Sequence, residues 1–368
     1  MIKLAAPIID KEEKKIIKTC LKEKSISSVG RFVKKFEQNF SKYLGGKKYS
    51  ITTSNGTTAI ELALRAYGIK NGDEVIIPDF TFAGTINAVL SVSAIPVIVD
   101  VDENDWTIDI KEIKKKITKK TKAIIPVHIY GQSAKLNEIF KLARKKKIAV
   151  IEDAAEALGG MYKGKKIGEM SECATFSFFA NKLITTGEGG MVIFKDKKIA
   201  LKARAIRNQG RSSTKFYWHN VVGGNFRLSN LQAALGLVQL KKINNFIKIR
   251  KKKFNFYNNL FSKDPDFVLL PKNKWSSNSL WAYNILIKNL GEKNRDKLIN
   301  FLISKKIESR PGFYPLSDMP PYKSYSNTNN KVSKFLSYNS ITLPFHNDLT
   351  DEQQIYIHKN IVNFKNKL

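Results

Sequence analysis

Residues 148–160 read IAVIEDAAEALGG, and residues 174–190 read ATFSFFANKLITTGEGG. Each stretch opens with an apolar run of strand length and continues into acidic or glycine-rich sequence that is typical of a turn. The first places Asp153 at the end of a buried strand. The second places Lys182 between an aromatic strand and a turn that leads into another apolar strand. Both stretches predict strands of an α/β sheet that end in polar groups.

Working outward, short β-branched runs alternate with helical patterns from about residue 49 to residue 194. The candidate strands are 49–53, 74–77, 96–101, 123–129, 149–152, 174–178 and 190–194. Between the first two, Ile60, Ala63, Leu64 and Tyr67 recur at i, i+3, i+4 and i+7, so one face of that helix should lie on the sheet. The alternation predicts a mostly parallel, seven-stranded sheet covered by helices.

The alternation stops after residue 194. The segment 229–232, SNLQ, is a capping box that opens a long helix, which we expect to run to about residue 261 with a break or bend. Further elements are a strand at 282–287, a helix at 295–306, a strand at 341–343 and a last helix after the capping box 350–353. We therefore predict a large α/β domain, 1–245, which includes the N-terminal segment, and a small α+β domain, 246–368.

The composition describes a globular chain with an unusual charge. Of its 368 residues, 42% are hydrophobic and 26% are charged. This length is enough for two domains of ordinary size. Lys and Arg number 64 against 32 Asp and Glu, for a net charge of +32. Only ten of the 64 are arginines, and the lysines are scattered. A lysine-rich coding bias, an anionic substrate and nucleic-acid binding all remain compatible with this charge.

Several classes of site lack support in the sequence. The two cysteines form no CxxC pair and the four histidines have no ligand spacing, so we expect neither a disulfide framework nor a metal site. The N-terminus lacks the pattern of a signal peptide, and the most apolar stretch, 83–99, is broken by Gly84, Asn87 and Pro96. We expect a cytoplasmic protein without a membrane span.

Three segments carry candidate chemistry. The turn 54–58, SNGTT, joins a strand to a helix, where backbone N–H groups and the helix dipole favour a phosphate, although such turns also use Gly and Thr for geometry alone. Asp153 at the sheet edge needs a cationic or hydrogen-bonding partner, of which a protonated pyridine nitrogen is one candidate, or else caps a following helix. Lys182 in an apolar setting can lose its proton and form a Schiff base, and Ser177 could hold a phosphate. Together these are the parts that hold pyridoxal 5′-phosphate (PLP), whose ring is an electron sink.

The chain resembles the DegT/DnrJ/EryC1/StrS sugar aminotransferases, which have the type I, or aspartate aminotransferase, fold. The resemblance covers nearly the whole chain, through segments such as TSNGTTAIELAL, VIEDAAEALG, CATFSFFANKLITTGEGGM and GGNFRLSNLQAALG. Within the family, EDAAEA, CATFSFFANK and ESRP with MPPY are most similar to members that aminate C4 of a GDP-linked 4-keto-6-deoxy sugar.

The resemblance implies a role for each matching residue. Lys182 would form the Schiff base and act as the catalytic base, and Asp153 would pair with the pyridine nitrogen. The other implied cofactor contacts are Gly56, Thr57 and Ser177 at the phosphate, Phe82 stacked on the ring, Glu156 beside it, and Asn225 reaching the phosphate of a neighbouring subunit. The resemblance thus implies a homodimer with shared sites that takes L-glutamate and a nucleotide-linked keto sugar.

Some assignments stay open at this stage. Arg227 and Arg310 are candidates for the nucleotide diphosphate by position, or are surface charge. Relatives that act on UDP- or dTDP-linked 4-keto or 3-keto sugars share the cofactor residues. Relatives with His at the Schiff-base position are dehydratases, which Lys182 disfavours. From other classes, a basic nucleic-acid-binding protein, for which no recognition motif is present, and a sugar-sensing regulator remain alternatives.

Overall fold

The computed structural model describes residues 1–326 and 329–368. Its α-helices are α1 (Lys11–Lys22), α2 (Arg31–Tyr43), α3 (Gly56–Tyr67), α4 (Gly84–Ser91), α5 (Ile110–Lys116), α6 (Leu136–Lys146), α7 (Lys197–Arg207), α8 (Asn230–Phe261), α9 (Gly291–Ser304), α10 (Lys331–Asn339) and α11 (Asp351–Lys365). Its strands are β1 (Tyr49–Thr53), β2 (Glu74–Pro78), β3 (Ile95–Val99), β4 (Thr121–Ile124), β5 (Ala149–Val150), β6 (Glu152–Asp153), β7 (Met161–Tyr162), β8 (Lys165–Lys166), β9 (Cys173–Ser177), β10 (Gly190–Phe194), β11 (Phe267–Leu269), β12 (Ser276–Ser277), β13 (Tyr283–Ile287), β14 (Arg310–Pro311) and β15 (Ser340–Leu343).

The large sheet is mostly parallel, as the sequence predicts. Its strands follow the order β3-β2-β4-β5 and continue as β6-β9-β10-β1. The two parts meet at Ile151, which separates β5 from β6 and donates its N–H to the Ile124 carbonyl at 3.1 Å. Only β10 runs antiparallel to both of its neighbours. The carboxyl ends of the parallel strands therefore form one edge.

Helices cover both faces of this sheet because alternate strand residues point to opposite sides. On β10, Val192 and Phe194 join the core under α3, α4 and α7, whereas Met191 and Ile193 join the core under α2 and the first half of α8. The predicted apolar face of α3 is confirmed, with Ile60 at 2% exposure, Ala63 and Leu64 fully buried, and Tyr67 partly buried against the same core.

The helix α8 links the sheet to the C-terminal part of the chain. It runs without interruption for 32 residues, so a break is wrong, whereas the alternative of a bend stays a prediction. Its capping box is confirmed, since the Ser229 side chain accepts from Gln232 N–H. Phe246 packs in the core of the large sheet, and Tyr257 and Phe261 pack in a separate core. The helix therefore contributes to both cores.

The C-terminal residues form a second sheet of antiparallel strands, in the order β11-β13-β15-β14. The first residues of the chain also contact this part: Ile2 N–H donates to the Lys306 carbonyl at 2.7 Å, and Phe345 N–H donates to the Leu4 carbonyl at 2.9 Å. The division of the chain after residue 245 stays a prediction. Among the described residues, no helix combines the length and apolarity needed to cross a membrane.

Some predicted boundaries shift. The strand expected at 123–129 begins at Thr121 and ends at Ile124, and the helix expected at 295–306 spans Gly291–Ser304. Residues 155–159, directly after Asp153, form turns and not an α-helix, so the alternative of a helix-capping aspartate is wrong. The capping box at Thr350 is confirmed as the start of α11.

Candidate functional site

The turn before α3 is a capped helix N-terminus that lies very close to β9. Thr58 N–H donates to the Asn55 side chain at 2.9 Å, and Asn55 N–H donates to Thr58 Oγ1 at 3.1 Å. The N–H groups of Gly56 and Thr57, in the first turn, have no intrahelical acceptor. A Cβ on Gly56 would lie 2.9 Å from the Ser177 Cβ. Glycine at position 56 thus lets the first turn of α3 lie close against Ser177, so that backbone donors and a serine hydroxyl lie side by side where a phosphate can bind.

A second glycine, Gly84, lies against the same turn. A Cβ on Gly84, at the start of α4, would lie 2.9 Å from Thr57 Oγ1 and 3.2 Å from the Phe82 ring. Phe82 itself is 63% exposed, and its ring centroid lies 6.2 Å from that of Phe313. An exposed aromatic face in a cavity wall is suited to stacking on a planar ligand.

Asp153 lies at the carboxyl end of β6 and is 5% exposed. Its Oδ2 accepts from Thr85 Oγ1 at 2.7 Å, and its Oδ1 accepts from Ala155 N–H at 3.1 Å. These two donors fix the orientation of the carboxylate. A buried carboxylate at the ligand-binding edge of an α/β sheet is a partner for a cationic ring nitrogen.

Lys182 forms a pair with Glu156 inside the site. Its Nζ lies 3.9 Å from Glu156 Oε1, and Glu156 Oε2 accepts from Tyr130 N–H at 2.7 Å. Burial lowers the pKa of Lys182, although the facing carboxylates of Glu156 and Asp153 act in the opposite direction. Burial raises the pKa of Glu156 to about 7 against the attraction of Lys182. The lowered pKa increases the fraction of Lys182 that is a nucleophilic amine at a given pH, relative to an exposed lysine.

These groups share one cavity of about 460 Å³. Among its lining residues are eight that the sequence nominated: Gly56, Thr57, Phe82, Asp153, Glu156, Ser177, Lys182 and Arg310. Arg310 comes from β14 of the C-terminal sheet, so the cavity lies between the large sheet and that second sheet.

The other two nominated residues, Asn225 and Arg227, lie outside this cavity. Asn225 Oδ1 accepts from Arg227 Nε at 2.8 Å, and Arg227 Nη1 donates to Asn208 Oδ1 at 3.2 Å. Phe226, the residue between them, nevertheless contacts the turn 54–58 before α3, because Ser54 N–H donates to the Phe226 carbonyl at 2.9 Å. Their roles therefore stay predictions.

Thr85, Tyr130 and Trp281 are among the residues of the site that were missed from the sequence. Thr85 orients Asp153, Tyr130 donates to Glu156, and the Trp281 ring centroid lies 3.9 Å from Lys182 Nζ. The positive φ of Tyr130, 48°, is a conformation that residue type alone does not reveal. His128 has a different role. It is fully buried, accepts from Ala134 N–H at 3.1 Å through Nδ1, and contacts Glu152 through Nε2, as a structural histidine does.

The residues present fit PLP. A nucleophilic amine would hold an aldehyde, an oriented carboxylate would pair with a ring nitrogen, and the backbone donors at Gly56 and Thr57 beside Ser177 would bind a phosphate. All three line the same cavity. This combination is more specific than any one of its parts.

Comparison with known proteins finds a matching family and similar curated proteins. Residues 7–362 match the model of the DegT/DnrJ/EryC1/StrS aminotransferase family. GDP-perosamine synthase of Caulobacter vibrioides is 40% identical over 351 residues, which cover 95% of this chain and 94% of that protein.

Solved structures agree at the level of the fold. PseC of Helicobacter pylori, an aminotransferase involved in the biosynthesis of pseudoaminic acid, has a TM-score of 0.93 at 28% identity and covers 100% of both chains. Spr1654 of Streptococcus pneumoniae, described as a sugar aminotransferase and solved in its PLP form, has a TM-score of 0.94 at 27% identity and covers 100% of this chain and 99% of that chain. The predicted fold class is confirmed.

Proposed function

Because the chain belongs to the DegT/DnrJ/EryC1/StrS aminotransferase family, we propose that it uses PLP to transfer an amino group from L-glutamate to C4 of GDP-4-keto-6-deoxymannose, which gives GDP-perosamine. The observation that carries the cofactor is the convergence of Lys182, Asp153 and the Gly56 turn on one cavity. The nucleotide and the sugar are taken from the GDP-perosamine synthase that is 40% identical over 95% of the chain.

Each end of the cavity would hold a different part of the cofactor. The N–H groups at Gly56 and Thr57, with the Ser177 hydroxyl, would bind the phosphate, and Lys182 would hold the aldehyde carbon covalently. Asp153 would pair with the ring nitrogen, and Phe82 would cover the ring face. When bound, the cofactor supplies an electron sink for the α-carbon of the amino donor.

Lys182 is the residue that moves protons. Its Nζ must be uncharged to accept a proton, and burial lowers its pKa in that direction. Glu156 lies 3.9 Å away, and the negative charge of its carboxylate favours the charged form of the amine, so it influences the fraction of Lys182 that is uncharged. The apolar walls of Phe82, Phe313 and Trp281 limit water at this amine.

The nucleotide sugar would enter from the side of Arg310. This guanidinium lines the cavity and can pair with a diphosphate or a carboxylate, for which arginine has the matching geometry. UDP- or dTDP-linked keto sugars are the alternative substrates, since the residues proposed to hold the cofactor are compatible with each of them.

We further propose that two copies form a homodimer in which Asn225 of one subunit reaches the phosphate site of the other. Asn225 lies beside the turn 54–58 but outside the cavity, a position that is compatible with a role across an interface. A cytoplasmic location is proposed with it, because the nucleotide sugars that the enzyme would use are made there.

One experiment tests the reaction and its substrate together. Purified protein is incubated with PLP, L-glutamate and GDP-, UDP- and dTDP-linked 4-keto sugars in parallel, and the products are identified by mass spectrometry. We expect an amino sugar with the GDP substrate, and trapping with borohydride should label Lys182. Lys182→Ala should keep the circular dichroism spectrum and yield neither product nor label. A label on another lysine would exclude the assignment, and transfer to the UDP substrate alone would replace the proposed nucleotide.

A further inference from the structure

Trp281 forms the surface against which the Lys182 amine rests. The indole is buried, at 4% exposure, and its ring centroid lies 3.9 Å from Lys182 Nζ. Glu156 Oε1 lies at the same distance, 3.9 Å, from that nitrogen. The amine thus contacts an aromatic face and a carboxyl group at once, an arrangement that binds an ammonium better than either group alone.

The indole is anchored at both its ring and its backbone. Its Nε1 donates to the Asn181 carbonyl at 3.1 Å, which ties the ring to the residue directly before Lys182. The Trp281 carbonyl accepts from the Arg250 guanidinium at 2.8 Å, and so does the Leu280 carbonyl at 3.0 Å. Arg250 is itself buried, at 3% exposure, and belongs to α8. The orientation of the ring is therefore set by Asn181, which lines the cavity, and by Arg250, which lies outside it.

Two further rings extend this surface. Tyr130 lies nearly parallel to Trp281, with 10° between the planes, and to Phe313, with 6°. Phe313 and Trp281 are parallel within 7°, at 6.5 Å between centroids. Parallel rings at these separations contact one another through offset faces and edges, which restricts rotation of each.

The backbone on both sides of this cluster is strained. Tyr130 has φ 48° and Leu280 has φ 62°, which are unfavourable for bulky residues. Asn278 joins the two, because its Nδ2 donates to the Tyr130 carbonyl at 3.0 Å and its Oδ1 accepts from Leu280 N–H at 2.6 Å. Strain of this kind persists where surrounding contacts over-determine a conformation, and it is common at functional sites.

We propose that the Trp281 indole is the docking surface for the Lys182 amine whenever that amine is not bonded to the cofactor. The proposal rests on the function proposed above, because an aminotransferase lysine is released for part of every turnover. A free lysine side chain has many rotamers, and holding Nζ in one place keeps it within reach of the proton that it must carry. Trp281 is then a positioning residue.

The groups around the Lys182 amine determine in which direction loss of the indole shifts its protonation equilibrium. Glu156 and Asp153 favour the ammonium form of Lys182, whereas burial and Arg310 oppose it. The negative face of the indole also favours the ammonium, by an amount equivalent to a factor of about 2 to 30 in an equilibrium constant. Removing the indole should therefore increase the uncharged fraction of Lys182 at a given pH while leaving the amine less well positioned.

The test is the pH dependence of covalent PLP uptake by the full chain. Uptake bonds Nζ to the aldehyde carbon and releases water, so its rate follows the uncharged amine. In Trp281→Leu we expect the midpoint of the rate profile to move to lower pH, and the half-reaction with L-glutamate to slow by about 2- to 30-fold. Trp281→Phe has a weaker aromatic face, so its midpoint and its half-reaction rate should lie between those of the wild type and Trp281→Leu. The control is Trp275→Leu, since Trp275 also lies near a lysine, with Lys135 Nζ 5.7 Å from its ring, but outside the cavity.

The outcomes separate the two proposals. If the wild-type chain takes up no PLP, the proposed function fails. If the wild type takes up PLP and the midpoint is the same in both Trp281 variants, only the docking role is overturned. A purely structural role would lower the amount of competent protein without moving the midpoint, which also contradicts the proposal. Should Trp281→Leu fail to fold, Trp281→Phe carries the test, because its ring conserves most of the packing.

Discussion

Gly56→Ala would place a methyl group in the gap between α3 and β9. The new Cβ would lie 2.9 Å from Ser177 Cβ and 3.3 Å from Ser177 Oγ, which is closer than such contacts allow. Gly56 does not have a positive φ, so alanine can adopt its backbone conformation, and the effect is one of space. Ser177 is paired with Gly190 of β10 and cannot retreat without disturbing the ladder. The start of α3 must therefore move away from Ser177.

This substitution should change two quantities, the free energy of unfolding and the affinity for a phosphate. Overpacking by one methyl group should lower the free energy of unfolding by about 1–3 kcal/mol. A phosphate that loses one backbone N–H donor loses about 1.5–3 kcal/mol, the range for hydrogen bonds to charged groups, or about 10- to 150-fold in affinity. The second effect should apply only to ligands that carry the phosphate.

The assay compares PLP with pyridoxal, which has the same aldehyde and ring and no phosphate. Dissociation constants of both are measured by absorbance titration with the wild type and with Gly56→Ala. We expect the preference for PLP over pyridoxal to fall by about 10- to 150-fold. The double variant Gly56→Ala with Ser177→Gly is the control, because it removes the two nearest atoms and leaves Ser177 Cα at 3.6 Å. The double variant should recover the free energy of unfolding, but it should not recover the contact between the Ser177 hydroxyl and the phosphate.

Two results would refute the reasoning. Unchanged affinity for both ligands in Gly56→Ala would show that the turn does not bind the phosphate. An equal loss for PLP and pyridoxal would show that the substitution acts on the fold of the site and not on phosphate recognition.

Other predictions concern the remaining groups of the cavity. Because burial lowers the pKa of Lys182, borohydride-trappable PLP uptake should reach its plateau at a lower pH than an exposed lysine would require, and a plateau only near the pH of ordinary lysine titration would contradict this. Glu156→Gln removes the carboxylate 3.9 Å from Nζ, so the midpoint of the same profile should move further down, and an upward shift would be inconsistent with the pair. Thr85→Val deletes the 2.7 Å donor to Asp153, and PLP affinity measured by titration should fall about 10-fold or more, whereas wild-type affinity would disprove a positioning role. Arg310→Gln should raise KM for the nucleotide sugar about 10-fold in steady-state assays while the glutamate half-reaction measured by stopped flow is retained, and loss of both would argue for a role at the cofactor instead.

Much of the fold could be predicted because its signals are local. Periodic apolar residues specify α3, and the capping boxes at Ser229 and Thr350 mark the starts of α8 and α11. The strands that flank Asp153 and Lys182 follow from short apolar runs that end in turn residues. Each of these patterns involves residues within one or two turns of each other.

What the sequence could not reveal involves residues far apart in the chain. Thr85 meets Asp153 across 68 positions, and Trp281 meets the Asn181 carbonyl across 100 positions. The break at Ile151 within the central strand segment also has no local signal, since isoleucine favours strands. Such contacts depend on the order of strands in the sheet, which local periodicity does not encode.

The amino-acid sequence by itself determined the alternation of strands and helices, the family resemblance, and the identity of the reactive lysine and the acidic residue at the strand end, because these are properties of short segments. Only the tertiary structure decided which side chains share the cavity, that Glu156 faces Lys182 at 3.9 Å, and that an indole from the C-terminal part lies against the same amine. The physical reason is that charge pairing, desolvation and ring contacts depend on distance in space, and packing sets those distances after the local elements have formed.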